Sequence, residues 1–109
     1  MDTNENDERD PGSWSLQDVV SDSQFEFVRE GEVVGWMRYR HSAPNRYFLL
    51  HTEVVRSHRG EGTGQAVIEA VLREIRSRQG KVTAICPFVV DYLTQSNMYR
   101  DLIDLGRPD

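Results

Sequence analysis

The stretch Arg59-Gly60-Glu61-Gly62-Thr63-Gly64 constrains this chain more than any other. It joins two runs of opposite periodicity, so it must turn a strand into a helix. Upstream, residues 47–55 alternate Phe48, Leu50, Thr52 and Val54 against Tyr47, Leu49, His51, Glu53 and Val55. Their aromatic and β-branched content suits a strand. Downstream, Val67, Ile68, Val71, Leu72 and Ile75 recur at the spacing of one helix face, which predicts a helix over 64–79. Gly80 stands where such a helix would stop. Three alternating glycines remove side chains where a ligand would approach the backbone. The first helical turn adds unpaired N–H groups and the positive end of the macrodipole, a combination that suits a diphosphate. Arg59 adds a fixed positive charge and a donor fork. The competing reading is a strand-to-helix turn with a glycine for close packing.

The rest of the chain fills in around that loop. With 109 residues there is room for one core. Phe25 and Phe27 stand on one face before Glu30-Gly31, and Val33, Gly35, Met37 and Tyr39 alternate after it with Val34, Trp36, Arg38 and Arg40. They predict an antiparallel hairpin over 24–29 and 32–40. A short strand follows over 81–86, ended by Pro87, then a short helix over 88–93 and a helical or irregular segment over 99–105. The expected class is α+β: a mixed, mostly antiparallel sheet with a strand–helix–strand unit whose two strands run parallel. Residues 1–12 are poor in apolar groups, rich in charge and closed by Pro11-Gly12, so they read as a disordered acidic tail before a domain over 13–109.

Charge and cysteine content exclude several classes. The net charge is −5, of which the first ten residues carry −4. No basic stripe for nucleic acid is evident in the remainder. One cysteine, Cys86, allows neither an internal disulfide nor a cysteine-based zinc cluster, and the three histidines lack metal-site spacing. No apolar run approaches the ~20 residues of a membrane span, and the acidic first residues resemble no targeting peptide. A cytoplasmic monomer or weak dimer is expected.

Three phosphate-binding classes compete for the loop. A Walker-type loop needs Lys and Ser or Thr after its last glycine, where Gln65-Ala66 stands. A dinucleotide fold needs an acid at the end of the next strand, and Lys81-Val82-Thr83-Ala84-Ile85-Cys86 carries none. The third class is coenzyme A. Arg59, Gly62 and Gly64 match the Arg/Gln-x-x-Gly-x-Gly/Ala pattern of the GNAT superfamily of N-acetyltransferases, which this chain resembles. More narrowly it is similar to a minimal GNAT-like family of about a hundred residues. His51-Thr52-Glu53-Val54 precedes the loop, Cys86-Pro87-Phe88-Val89 ends the next strand, and Tyr99 with Asp101-Leu102 closes the pattern. Ser96-Asn97-Met98 stands where that family often has His-Pro-Glu.

The resemblance implies an acetyl-coenzyme A site between the strands over 47–55 and 81–86. Backbone groups of Glu53, Val54 and Val55 would pair with the pantetheine arm. Amides from Gly60 through Glu61, Gly62, Thr63 and Gly64 to Gln65 would hold the diphosphate. Cys86 would lie near the thioester, as a covalent relay or as a small buried hydrophobe. Histidine is the residue type best suited to general-base work near neutral pH, so His51 is either that base or a core-edge histidine; Glu53 shares its strand face. Tyr99 is either a proton donor to the leaving thiolate or an aromatic anchor. Arg38, Arg40 and Arg46 either border the acceptor site or form a solvated edge. The expected activity is acetyl transfer from acetyl-coenzyme A to a primary amine of a protein lysine, a polyamine or a small metabolite. A non-catalytic coenzyme A-binding module is the alternative, and a phosphate-binding regulatory domain a third reading.

Overall fold

The computed structural model describes residues 14–104, so the acidic segment over 1–12 and Leu105 lie outside the described residues. Five strands form one sheet in sequential order: β1 (Trp14–Val19), β2 (Gln24–Arg29), β3 (Glu32–Ser42), β4 (Arg46–Val54) and β5 (Lys81–Ala84). The first four are antiparallel neighbours, and β4 and β5 run parallel. Between them runs α1 (Thr63–Ser77), and α2 (Pro87–Gln95) follows β5. This is the mixed α+β architecture that the alternation and helix spacing predicted.

Each element follows from its residues. The β2–β3 hairpin closes on Glu30 and Gly31, with φ of 52° and 79°. Two consecutive positive φ values are the requirement of a two-residue turn whose twist matches the strands. Val67, Ile68, Val71, Leu72 and Ile75 are all buried against the sheet, as their spacing predicted. At Gly35 a Cβ would sit 2.9 Å from the Val67 side chain and 3.0 Å from the Glu53 carbonyl oxygen. That glycine lets α1 lie close on β3. The helix ends at Ser77, two residues before the predicted stop. Gln79 takes the left-handed position, with φ of 61°, while the N–H groups of Gln79 and Gly80 donate to Arg76 and Ile75 carbonyls. This is the paired-bond Schellman termination with Gln79, not glycine, at its strained residue.

β1 was not predicted. Trp14 and Leu16 pack on the core, but the third residue of that face is Asp18. Its carboxylate accepts from the Tyr39 hydroxyl at 2.7 Å and pairs with Arg78 at 2.9 Å. A satisfied acid on the inner face breaks the hydropathy alternation that marks a strand.

The predicted alternation of β4 also changes midway. Tyr39 pairs with Leu49 but Arg38 pairs with His51, so Leu50 is an extra residue in β4. This bulge shifts the phase. Tyr47 and Leu49 are buried before it, Thr52 is buried after it, and His51 and Glu53 turn to the opposite face. Tyr47 and Leu49 therefore do not share a face with His51 and Glu53.

The β4–β5 ladder stops at the same place. Leu49 pairs with Ala84, and the Leu49 carbonyl accepts from both Ile85 and Cys86. Pro87 then opens α2 at its first turn, where its missing N–H costs nothing. β4 runs on to Val54 with no strand on that side among the described residues. Both helices share one buried cluster on one face of the sheet. Among the described residues no helix covers the other face, which carries Trp36, Arg38, Arg40, Phe48 and His51.

Candidate active site

A cleft of about 630 Å³ fills the gap that the diverging strands leave. One wall is the edge of β4 from His51 to Val54. The loop and first turn of α1 close one end, and α2 supplies the other wall. Because the Val55 N–H donates to the Val34 carbonyl, alternation turns the Glu53 and His51 backbone toward β3 as well. The backbone groups of Thr52 and Val54 are left on the open edge. Of the three residues expected to offer backbone groups there, Val54 does so, joined by Thr52, while Glu53 and Val55 face β3.

The loop meets the cleft as follows. Gly60 and Gly62 have φ of 83° and 81°, and a Cβ at either would meet nothing within 4 Å. Their backbone is therefore open to an approaching group. Gly62 is the N-cap residue of α1 and supplies no side-chain cap. The orphan amides of the first turn thus have no protein side chain to accept from them there. Thr63, the first helical residue, lines the cleft and is 2% exposed. Its Oγ1 is buried without a hydrogen-bond partner. A buried hydroxyl left unmatched costs on the order of 1–3 kcal/mol, and a ligand acceptor at that point would recover it.

The ionisable groups form a connected string along β4. His51 Nε2 lies 2.7 Å from Glu53 Oε1, and Arg59 donates to Glu53 Oε2 at 3.0 Å. The hydrogen bond from His51, with the nearby Arg59 charge, holds the Glu53 carboxyl below its ordinary range. Ionised Glu53 can only accept, so Nε2 carries a hydrogen, and in the neutral ring Nδ1 is then the nitrogen with the lone pair. Arg59 Nε also donates to the Val54 carbonyl at 3.0 Å. The Arg59 fork is thus spent on β4, which it straps to the loop, rather than on the mouth of the helix.

Of the predicted cofactor residues, Glu53, Val54, Arg59, Gly60, Gly62, Thr63, Gly64 and Gln65 line the cleft. Val55 and Glu61 do not; the Glu61 carboxylate bonds His58 Nδ1 at 3.2 Å. His51 lines the cleft, but the other two predicted catalytic side chains do not reach its wall. Cys86 is 1% exposed, and its sulfur contacts Thr52 Oγ1 at 3.4 Å, so Thr52 stands between the thiol and the cleft. Tyr99 is buried beneath the Arg76 guanidinium, 4.7 Å from its ring centre, and beside Tyr92. In this structure it is the aromatic anchor of the last segment.

The sequence reading missed the α2 wall. Phe88, Asp91, Tyr92 and Gln95 line the cleft at the three- and four-residue spacing of one helix face. That spacing was visible, but one polar-lined face of so short a helix carries little signal. The Tyr92 hydroxyl donates to Glu69 Oε2 at 3.0 Å. Burial, with the Glu69 carboxylate, raises its pKa above the ordinary phenol value. Among the described residues no helix is long and apolar enough to cross a membrane, and no cluster of acids, histidines and cysteine is placed for a metal.

A search of curated proteins finds no match. The chain is similar in fold to a GCN5-like N-acetyltransferase from Staphylococcus aureus, with a TM-score of 0.62 and 23% identity over 83% of this chain and 87% of that one. It also matches the ribosomal-protein-S18-alanine N-acetyltransferase of Escherichia coli, with 16% identity and a TM-score of 0.49. That match covers 56% of this chain and 39% of the enzyme. A third match is aminoglycoside N-acetyltransferase AAC(6')-Iy in complex with CoA, with 18% identity, 79% and 62% coverage and a TM-score of 0.42. The family model described as GCN5-related N-acetyl-transferase matches residues 24–102, well over half of the chain, and the protein belongs to that family.

Proposed function

We propose that this protein binds acetyl-coenzyme A along the open edge of β4 and transfers the acetyl group to a primary amine. The observation that carries the reading is the buried, unpartnered Thr63 hydroxyl at the uncapped start of α1, at the end of an unpaired strand edge. A diphosphate supplies the acceptor oxygens that this mouth lacks, and an amide-bearing arm supplies strand-like partners for Thr52 and Val54. Coenzyme A, when bound, contributes an acyl group activated as a thioester.

The chain's own groups then have distinct tasks. The first-turn amides of α1 and Thr63 Oγ1 donate to the diphosphate. The Val54 N–H positions the arm. His51 Nδ1 takes a proton from the incoming ammonium, and Glu53 stabilises the imidazolium that results. A lysine-type amine is mostly protonated at neutral pH, so this step matters. As the N–C bond forms and the C–S bond breaks, the second amine proton passes to the sulfur. Tyr92, on the cleft wall with a raised pKa, keeps its proton at neutral pH and can relay that transfer, giving its phenolic proton to the sulfur and taking the amine proton in its place.

The buried positions of Cys86 and Tyr99 favour a second reading, a coenzyme A-binding module that does not turn over. Incubation with acetyl-coenzyme A and an amine mixture, followed by thiol release and mass spectrometry, separates the two. Thiol release with an acetylated amine supports transfer, and His51→Ala should suppress it while binding persists. Saturable binding with no thiol release supports the module.

A further inference from the structure

We propose that the acceptor is an acidic polypeptide segment, laid across the helix-free face of the sheet and held there by Arg38 and Arg40. This rests on the acetyl-coenzyme A reading above. The cleft reaches the point where β4 and β5 part, and the helix-free face of the sheet is open there. Leu49, Cys86 and Val89 beneath it are fully buried. Leu50 and Ile85 beside it are 41% and 53% exposed, and His51 is exposed as well. An amine therefore reaches His51 across the bare sheet rather than through the core.

That route is flat. Trp36 and Phe48 lie half-buried on it, with no helix above them. A surface of this kind suits an extended chain better than a small metabolite, which needs a concave pocket. It is also positively charged at the point of entry. Arg38 is the direct cross-strand partner of His51, and Arg40 lies two residues further along the same face. Both are exposed, and neither forms an ion pair among the described residues. The Arg40 guanidinium is already ordered over the Phe48 ring, 5.3 Å from its centre. Of the acids on that face, Glu53 is paired with His51 and Arg59, and Glu26 accepts from the Gln24 amide and keeps its charge. Cross-strand partners stand about 5 Å apart, so a carboxylate one to three residues from the reactive amine would meet these forks. Opposite charge on the acceptor would complete both guanidiniums.

The test uses the full chain saturated with coenzyme A and short lysine peptides of matched length. One carries aspartates around the lysine, and one carries asparagines in their place. Calorimetry should show the acidic peptide binding roughly tenfold more tightly, the sum expected of two exposed ion pairs, and weakening as salt rises. Arg38→Glu/Arg40→Glu should erase or reverse the preference while coenzyme A affinity stays unchanged. With acetyl-coenzyme A, the same order should appear in kcat/KM. Equal binding of the two peptides, binding of neither, or a preference that survives the double reversal overturns the proposal. None of those results touches the coenzyme site, which fails separately if the coenzyme titration itself shows no saturation.

Discussion

Replacing Thr63 by valine should move stability and ligand affinity in opposite directions. Valine matches threonine in shape and in helix propensity, so the main change is the loss of one hydroxyl. That hydroxyl is buried, on a residue 2% exposed, and has no partner. An unmatched buried polar group costs about 1–3 kcal/mol, so the unliganded variant should gain about 1 kcal/mol. For a domain of this size that gain corresponds to a midpoint rise of about 4–8 °C. With coenzyme A bound, the same hydroxyl donates to a charged oxygen, worth about 1.5–3 kcal/mol. Its loss should raise Kd about ten- to 150-fold. Urea or thermal unfolding without ligand gives the first quantity, and calorimetric titration gives the second. A variant that is less stable when unliganded and binds coenzyme A as before would refute the reasoning, because the hydroxyl would then serve the fold.

Other substitutions test neighbouring parts of the account. Gly35→Ala places a methyl 2.9 Å from Val67 and 3.0 Å from a backbone oxygen, so urea unfolding should show a loss of about 1–3 kcal/mol. Gln79→Gly relieves a left-handed residue at the end of α1 and should stabilise by about 0.5–1 kcal/mol in the same assay. Gly64→Asp adds a carboxylate in the first turn, where the space is ordinary and the macrodipole favours it. Stability should hold or rise while coenzyme A binding is lost by charge repulsion, as read by calorimetry. Glu53 has its pKa lowered in the fold, chiefly by the His51 hydrogen bond, so its stabilising effect is present above the unfolded value near ~4.3 and is lost as pH falls through the lower folded value. Urea midpoints of Glu53→Gln should therefore fall below those of the parent above about pH 5 and converge with them only as the pH drops through the lowered folded value; a gap that widens on acidification contradicts the assignment.

Periodicity carried most of the fold. The helix stripe of α1 and the β2–β3 alternation beyond Gly35 were legible because one repeating face meets one core; at the start of β3 an extra residue shifts the phase, so Val34 is buried and Val33, expected on the core face, is exposed. The features that open the cleft were not, because they are departures from periodicity. Leu50 reads as one more strand residue, and only its register against Arg38 and Tyr39 reveals the extra position. Asp18 hides β1 because its partners, Tyr39 and Arg78, lie far along the chain. The glycine loop was legible as an open strand-to-helix turn, and it lines the cleft, since its spacing depends on local backbone alone. The side chains expected to be catalytic were less so. Cys86 and Tyr99 sit in motifs near the site, yet burial depends on which neighbour stands in front, and Thr52 and Arg76 occupy those places. Tyr92 reaches the cleft because α2 starts at Pro87 and turns that helix face toward β4.

The central claim concerns individual amides, and a coenzyme A titration followed by amide-resolved NMR addresses it directly. The N–H signals of residues 60–65 should shift together to saturation, and the Val54 amide should gain protection from exchange. Saturation with those signals unmoved, or no saturation at millimolar ligand, would place the coenzyme elsewhere or nowhere on this protein.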